Sequence, residues 1–288
     1  MGVFKRTCKT LWWVARAAST GFSRHEGMIM AGYMAFLGLL ALFPFLIFLT
    51  ALAGAIGRSR EGVEAISHIL EAMPPEVASV LAGPITEVVA GVGGGVLTFG
   101  ALVAIWTAAS GIEAARAAVR RAYSRRSPRP LWSRRLESLA LVIVTASLIL
   151  IGMSIQVLGP AAWGLLSARV DMPAVLDSLW RWLRFALSPL AMYLALYTLY
   201  FVLTPRRIRP RYRAPGAFLA LILWLATATG LSTYLKYFGQ YDITYGSLAG
   251  VMVTMIFLFL VAAGFVLGAE VNAAMARRAR ARRRQGAD

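Results

Sequence analysis

A chain of 288 residues with a hydrophobic fraction of 59% and a mean hydropathy of +0.66 is too apolar to fold as a soluble globule. Its net charge of +17 falls in arginine-rich blocks between long apolar runs. A continuous basic stripe with interleaved aromatics is missing, which excludes a nucleic-acid track, and the single Cys8 excludes a disulfide framework within the chain.

Residues 1–26 carry Lys5, Arg6, Lys9, Arg16 and Arg24 beside Trp12 and Trp13. Tryptophan prefers the headgroup level, so this stretch reads as an amphipathic helix lying on the cytoplasmic interface. Its apolar patch is short and broken by Arg16, unlike a cleavable signal peptide. An uncharged run from Gly27 to Gly57 then supplies span 1, with Pro44 in its outer half as an expected kink. Residues 58–87 are rich in glutamate, and Val63, Ile66, Leu70 and Met73 recur at helical spacing. They predict two short amphipathic helices on the outer surface. Span 2 follows Gly93-Gly94-Gly95 and runs out through Glu113 into an arginine-rich helical extension. No Lys-Ser/Thr follows those glycines, so they form no phosphate loop.

Span 3 contains Gln156 as its one strongly polar side chain, and the loop after it, with Trp180 and Trp182, predicts another interfacial helix. Span 4 holds Pro189 near its outer end, followed by Tyr193, Tyr197 and Tyr200 on one helix face. After Arg206, Arg207, Arg209, Arg211 and Arg213 comes span 5. Span 6 lies in a stretch uncharged from Ile243 to Ala269, longer than the ~20 residues a bilayer core requires. Gly246/Gly250 and Gly264/Gly268 repeat at four-residue spacing along it, a pattern that admits a neighbouring helix and suits self-association. Of the 30 cations, 24 lie at the N-terminus, after spans 2 and 4, and at the C-terminus.

That alternation predicts an all-α polytopic membrane protein with six transmembrane helices, short amphipathic interfacial helices and both termini cytoplasmic. The reading divides it into an interfacial helix over 1–26, a six-helix domain over 27–273 and a basic tail over 274–288. The spans fall at about 29–56, 92–112, 138–163, 185–204, 215–235 and 245–271.

Four segments are distinctive: Gly32 to Leu46 in span 1, Trp106 to Tyr123, and Phe238 to Val251 running into Leu267 to Ala273 (LGAEVNA). Together they resemble the YihY/BrkB family of bacterial inner-membrane proteins, formerly named ribonuclease BN. The resemblance covers nearly the whole chain. It departs at Phe257 and Phe259, where the family commonly has tryptophan and tyrosine, and at Leu37, where an aromatic is frequent. The resemblance implies the inner membrane and envelope-linked transport or lipid export, and supplies no reaction.

Groups able to line a substrate path are few: Glu113 at the end of span 2, Glu270 and Asn272 at the end of span 6, Gln156, Tyr33, Tyr193 and Tyr197. The simpler reading of Glu270 is a salt bridge to a loop arginine, and of the tyrosines, packing between helices. Ribonuclease chemistry would need clustered His and Asp ligands or a tuned acid–base pair. His25 and His68 are instead predicted on opposite sides of the membrane, so no catalytic residues, metal or cofactor are expected. The expected function is transport or translocation of a lipid-like, amphipathic substrate, with membrane lipids as partners and anionic headgroups drawn to the basic cytoplasmic face. The alternative is a non-transporting scaffold or regulator.

Overall fold

The computed structural model describes residues 2–56, 94–124, 131–167, 174–205, 207–237 and 247–285. The outer segment 58–87, His68, Gly246 and the side chain of Gln156 lie outside that set. Among the described residues every regular element is helical. In chain order they are α1 (Gly2–Arg24), α2 (Gly27–Ile56), α3 (Gly94–Ala122), α4 (Leu131–Ser167), α5 (Ala174–Leu203), a 3-10 turn (Pro210–Tyr212), α6 (Ala214–Tyr237) and α7 (Ser247–Gln285).

Four of these helices are long and apolar enough to cross a membrane: Leu102–Ala122, Ser178–Leu203, Pro210–Lys236 and Gly250–Ala281. A fifth is formed if Trp12–Arg24 and Gly27–Leu42, bent by 68° at the α1–α2 junction, count as one broken span. The sequence expectation was six. Large apolar side chains such as Ile29, Ile143, Phe185, Phe218, Ile222 and Ile256 face outward. A water-soluble surface seldom carries so many, whereas lipid tails are a suitable solvent for them. The buried positions are dominated by alanine, the small-residue packing of membrane helices.

Two boundaries differ from the sequence reading. The Trp180/Trp182 segment is not a separate interfacial helix: α5 runs without a break from Ala174 to Leu203, through Pro189. A proline removes one ladder hydrogen bond, and a helix held by its neighbours tolerates that loss. The expected basic tail is likewise a continuation of α7, which stays helical to Gln285. Arg134 and Arg135, read in the sequence with the helical extension of span 2, sit in the first turns of α4.

The chain divides into two compact units, residues 1–35 with 112–288 and residues 36–111. The second holds the later part of α2, with Pro44 inside the helix, and the first part of α3. There the Thr107 and Ser110 hydroxyls donate back to the Val103 and Trp106 carbonyls. In the first unit α7 packs along α6 and α1, α4 along α5, and α5 along α6. Its core joins Val119 of α3, Leu141 of α4, Leu196 and Tyr200 of α5, Leu221 of α6, and Phe265 and Ala269 of α7. Every polar cluster described below belongs to this unit.

The α1–α2 junction is closed by Glu26 at φ 56°, in the left-handed region that usually takes glycine after a helix. The His25 and Glu26 N–H groups donate to the Gly21 and Ser23 carbonyls, which uses acceptors that the end of α1 would leave open. On the exposed side the Glu26 carboxylate accepts from Arg121 at 2.7 Å.

Candidate functional site

The segment Leu267 to Ala273 places Gly268, Glu270 and Asn272 at every second position of α7. On a helix the first and last share a face, while the middle one points to the opposite side. The structure uses the two faces differently.

On the Gly268/Asn272 face, α7 meets the start of α6. A side chain at Gly268 would run into the Gly216 backbone and the Tyr200 hydroxyl, and one at Gly216 would collide with the Gly268 carbonyl and with Asn272. Only two glycines allow this approach. The buried Asn272 carboxamide accepts from the Gly216 N–H at 2.7 Å and donates to the Arg213 carbonyl at 2.9 Å. It thus satisfies an N–H that the first turn of α6 leaves orphaned, a capping role supplied from another helix. Pro215, next to Gly216, has no N–H to satisfy.

The same side of α7 receives Tyr200 Oη on the Phe265 carbonyl at 2.6 Å and Trp224 Nε1 on the Val261 carbonyl at 2.7 Å. These carbonyls, four residues apart, already serve the helix ladder and take a second donor. Arg213 is buried and donates to the Phe201 and Ile208 carbonyls at 2.8 Å each. A cation near the end of α5 suits the open carbonyls and partial negative charge there. Beside it, burial pushes the Tyr123 phenol up to about 12, against the pull of the Thr204 hydroxyl and of Arg213, Arg277 and Arg280. The phenol therefore stays neutral.

On the opposite face, Glu270 is 1% exposed and its Oε1 lies 2.6 Å from His25 Nδ1. With the carboxylate ionised, Nδ1 carries the shared hydrogen. Oε2 is buried without a hydrogen bond, and the nearest arginine, Arg277, stands 3.9 Å away. The short contact of the carboxylate is thus to a histidine 245 positions earlier, while the arginine partner expected from the sequence is present as a longer ion pair, from Arg277 of α7 itself. The carboxylate lies against Gly21 of α1 so closely that a Cβ there would collide with it.

Glu113 belongs to a third cluster. Its Oε2 accepts from Arg134 at 2.9 Å and its Oε1 from Ser138, while Arg116, 4% exposed, spans to Glu137 at 2.7 Å. Both oxygens of Glu113 are occupied, and two acids offset two arginines across α3 and α4. The remaining sequence candidates stand apart. Tyr33 is 50% exposed, and Tyr193 and Tyr197 stack on each other with centroids 6.2 Å apart. Gly264 faces Leu223 and Trp224 of α6, whereas a Cβ at Gly250 would meet no described atom within 4 Å.

A cavity of about 610 Å³ opens beside His25 and Gly21, the residues of α1 and its end that cover Glu270. Trp12, Trp13, Arg16, Thr20, Arg24 and Arg277 are among its lining residues. In the sequence α1 reads as an interfacial helix, and no local pattern marks His25 or Gly21 as partners of the last helix. Arg213 reads there as one more loop cation.

A protein family described as Virulence factor BrkB matches residues 18–288. The chain is 32% identical over 258 residues to a Bacillus subtilis protein named ribonuclease-like protein YfkH, covering 89% of this chain and 93% of that protein. It is 26% identical over 262 residues to a UPF0761 membrane protein of Vibrio campbellii, covering 87% and 78% respectively. A UPF0761 membrane protein of Vibrio vulnificus is 28% identical over 137 residues, 48% of this chain. No solved structure matches.

Proposed function

The chain belongs to the Virulence factor BrkB family, and we propose that it is a transporter or translocase of a lipid-like, amphipathic substrate. The observation that carries this reading is the state of Glu270. An ionisable side chain buried at the end of a long apolar run is costly and tends to mark a functional position. The polar groups of Asn272 and both carboxylate oxygens of Glu113 are used in holding helices together. Glu270 instead keeps one oxygen without a hydrogen bond, 3.9 Å from Arg277, behind Gly21 and against His25 at the junction of α1 and α2, two residues that line a cavity. Such a pair can respond to a change in helix position.

In this reading the protein lies in the inner membrane with both termini cytoplasmic, supported by the distribution of 24 of its 30 cations. Membrane lipids are its partners. Self-association, where it occurs, would use the open face at Gly250, since Gly264 and Gly268 already serve contacts within the chain. The ribonuclease-like name of the Bacillus subtilis relative carries over less well, because the acids Glu113 and Glu137 are engaged by Arg134 and Arg116. The proposal is a non-catalytic protein.

A non-transporting scaffold is the second reading, favoured by the Asn272–Gly216 cap and the close Gly268–Gly216 contact. Dithionite bleaching of fluorescent phospholipid in proteoliposomes separates the two. Transport requires bleaching beyond the outer-leaflet fraction seen in protein-free vesicles. Bleaching equal to those vesicles removes passive translocation of that lipid and makes the scaffold the leading reading.

A further inference from the structure

The cavity on α1 has a composition that helix packing does not require. Trp12, Arg16, Thr20 and Arg24 follow one another at four-residue spacing and form a single row along α1. Trp13 and Gly21 lie beside that row, Arg277 reaches in from α7, and Ser124 and His25 complete the wall. Its volume of about 610 Å³ is that of a typical ligand site.

Three guanidinium groups face one space. Arg16 lies over the Trp12 ring at 5.4 Å, and neither Arg16 nor Arg24 has a carboxylate within ion-pair distance among the described residues. Arg277 donates one terminal nitrogen to the Ala122 carbonyl at 3.1 Å and has the other 3.9 Å from the Glu270 carboxylate, a long ion pair that leaves N–H groups for a ligand. Two features count against a bound anion: the Glu270 carboxylate and the C-terminal end of α1. The first is covered by Gly21 and engaged by His25. The second is weakened because the Gly21 and Ser23 carbonyls already accept from His25 and Glu26. The balance at the cavity surface is positive.

We propose that this cavity binds a phosphate ester, with Arg16, Arg24 and Arg277 holding its oxygens. Guanidinium forks match phosphate geometry, often with two parallel hydrogen bonds. Trp12 and Trp13, 63% and 40% exposed, supply the amphipathic surface that stands at headgroup level in a bilayer. The favoured source of the phosphate is therefore the headgroup of an anionic membrane lipid. The Thr20 and Ser124 hydroxyls offer further donors within the same wall. This inference goes beyond transport, since the site holds its ligand whether the protein moves it or retains it.

The test is a binding titration on the purified full-length chain in maltoside detergent, using dihexanoyl phosphatidylglycerol, dihexanoyl phosphatidylcholine and inorganic phosphate as separate probes. Phosphatidylglycerol is expected to bind more tightly than phosphatidylcholine. Replacing both Arg16→Gln and Arg24→Gln should weaken it roughly thirtyfold, and Arg16→Lys with Arg24→Lys should retain most of it. The exposed pair Arg207→Gln and Arg209→Gln, outside the cavity, should shift it less than twofold. Inorganic phosphate that binds as tightly as the lipid, with the same arginine dependence, upholds the site and assigns it to a soluble phosphate. Absence of binding by any probe would overturn the proposal. So would affinity unaltered by the Arg16/Arg24 change, or equal losses from both arginine pairs. Arg16 and Arg24 are exposed, and an unchanged melting temperature confirms that their variants fold. A failed titration leaves the translocation assay untouched, and a failed translocation assay leaves the binding site standing.

Discussion

The two halves of the apolar run of α7, Ser247 to Ala274, carry the same kind of sequence and have different surroundings. In the first, Val251, Met252, Ile256 and Leu260 are exposed, and Gly250 has open space around it. In the second, Gly264 and Gly268 let α6 and Tyr200 come close, and burial is nearly continuous from Gly264 to Ala274. Four-residue glycine spacing therefore marks where a helix can be approached, not where it is. What differs is the partner: α6 brings its own Gly216 to the second half, and two glycines facing each other let backbones touch.

The largest effect that would break this contrast is expected at Gly268. Gly268→Val would press a branched side chain against the Gly216 backbone, which cannot move aside as a side chain can. We expect a loss of about 3 kcal/mol or more, measured as collapse of the monodisperse peak and melting transition in detergent. A variant melting like the parent would show that α6 and α7 do not meet there. Next in size, Asn272→Ala leaves the buried Gly216 N–H unpaired and the Arg213 carbonyl with only the long bond from the Ala217 N–H, at a cost of about 2–3 kcal/mol. Asn272→Asp should be no better, since a carboxylate cannot donate to the Arg213 carbonyl. The smallest change is Gly250→Ala, where the added methyl meets nothing described. Its effect should stay within about 1 kcal/mol and in the stabilising direction, from helix propensity. A large loss at Gly250 would reveal a partner for the open half, and a concentration-dependent oligomer size would identify it as a second copy.

Much of the helical architecture was legible because long apolar runs bounded by arginine blocks leave few alternatives in a bilayer. Boundaries were less legible. The Trp180/Trp182 segment has interfacial composition, yet nothing in Phe185 to Pro189 stops a helix that neighbours support, so α5 continues through it. The contents of the site divide along the same line. Glu270 and Asn272 stood out as polar residues at the end of an apolar run. Their opposite uses were hidden, because each is decided by what another helix presents: a glycine N–H for Asn272, and Gly21 with His25 for Glu270. Arg213 was hidden for a related reason. In a run of five arginines nothing local selects the one whose guanidinium reaches the Phe201 and Ile208 carbonyls.

Two residues apart on one helix, Asn272 holds the fold and Glu270 is assigned to function. Glu270→Gln keeps the shape of the side chain and removes its charge, so it tests that assignment directly. The decisive measurement is the rate of lipid bleaching by dithionite in proteoliposomes containing matched amounts of folded Glu270→Gln and parent protein. We expect a parent rate above protein-free vesicles and a variant that melts within a few degrees of the parent but bleaches at least tenfold more slowly. A variant that bleaches at the parent rate would contradict the assignment, as would one that cannot be recovered folded, since Glu270 would then be a structural residue like Asn272.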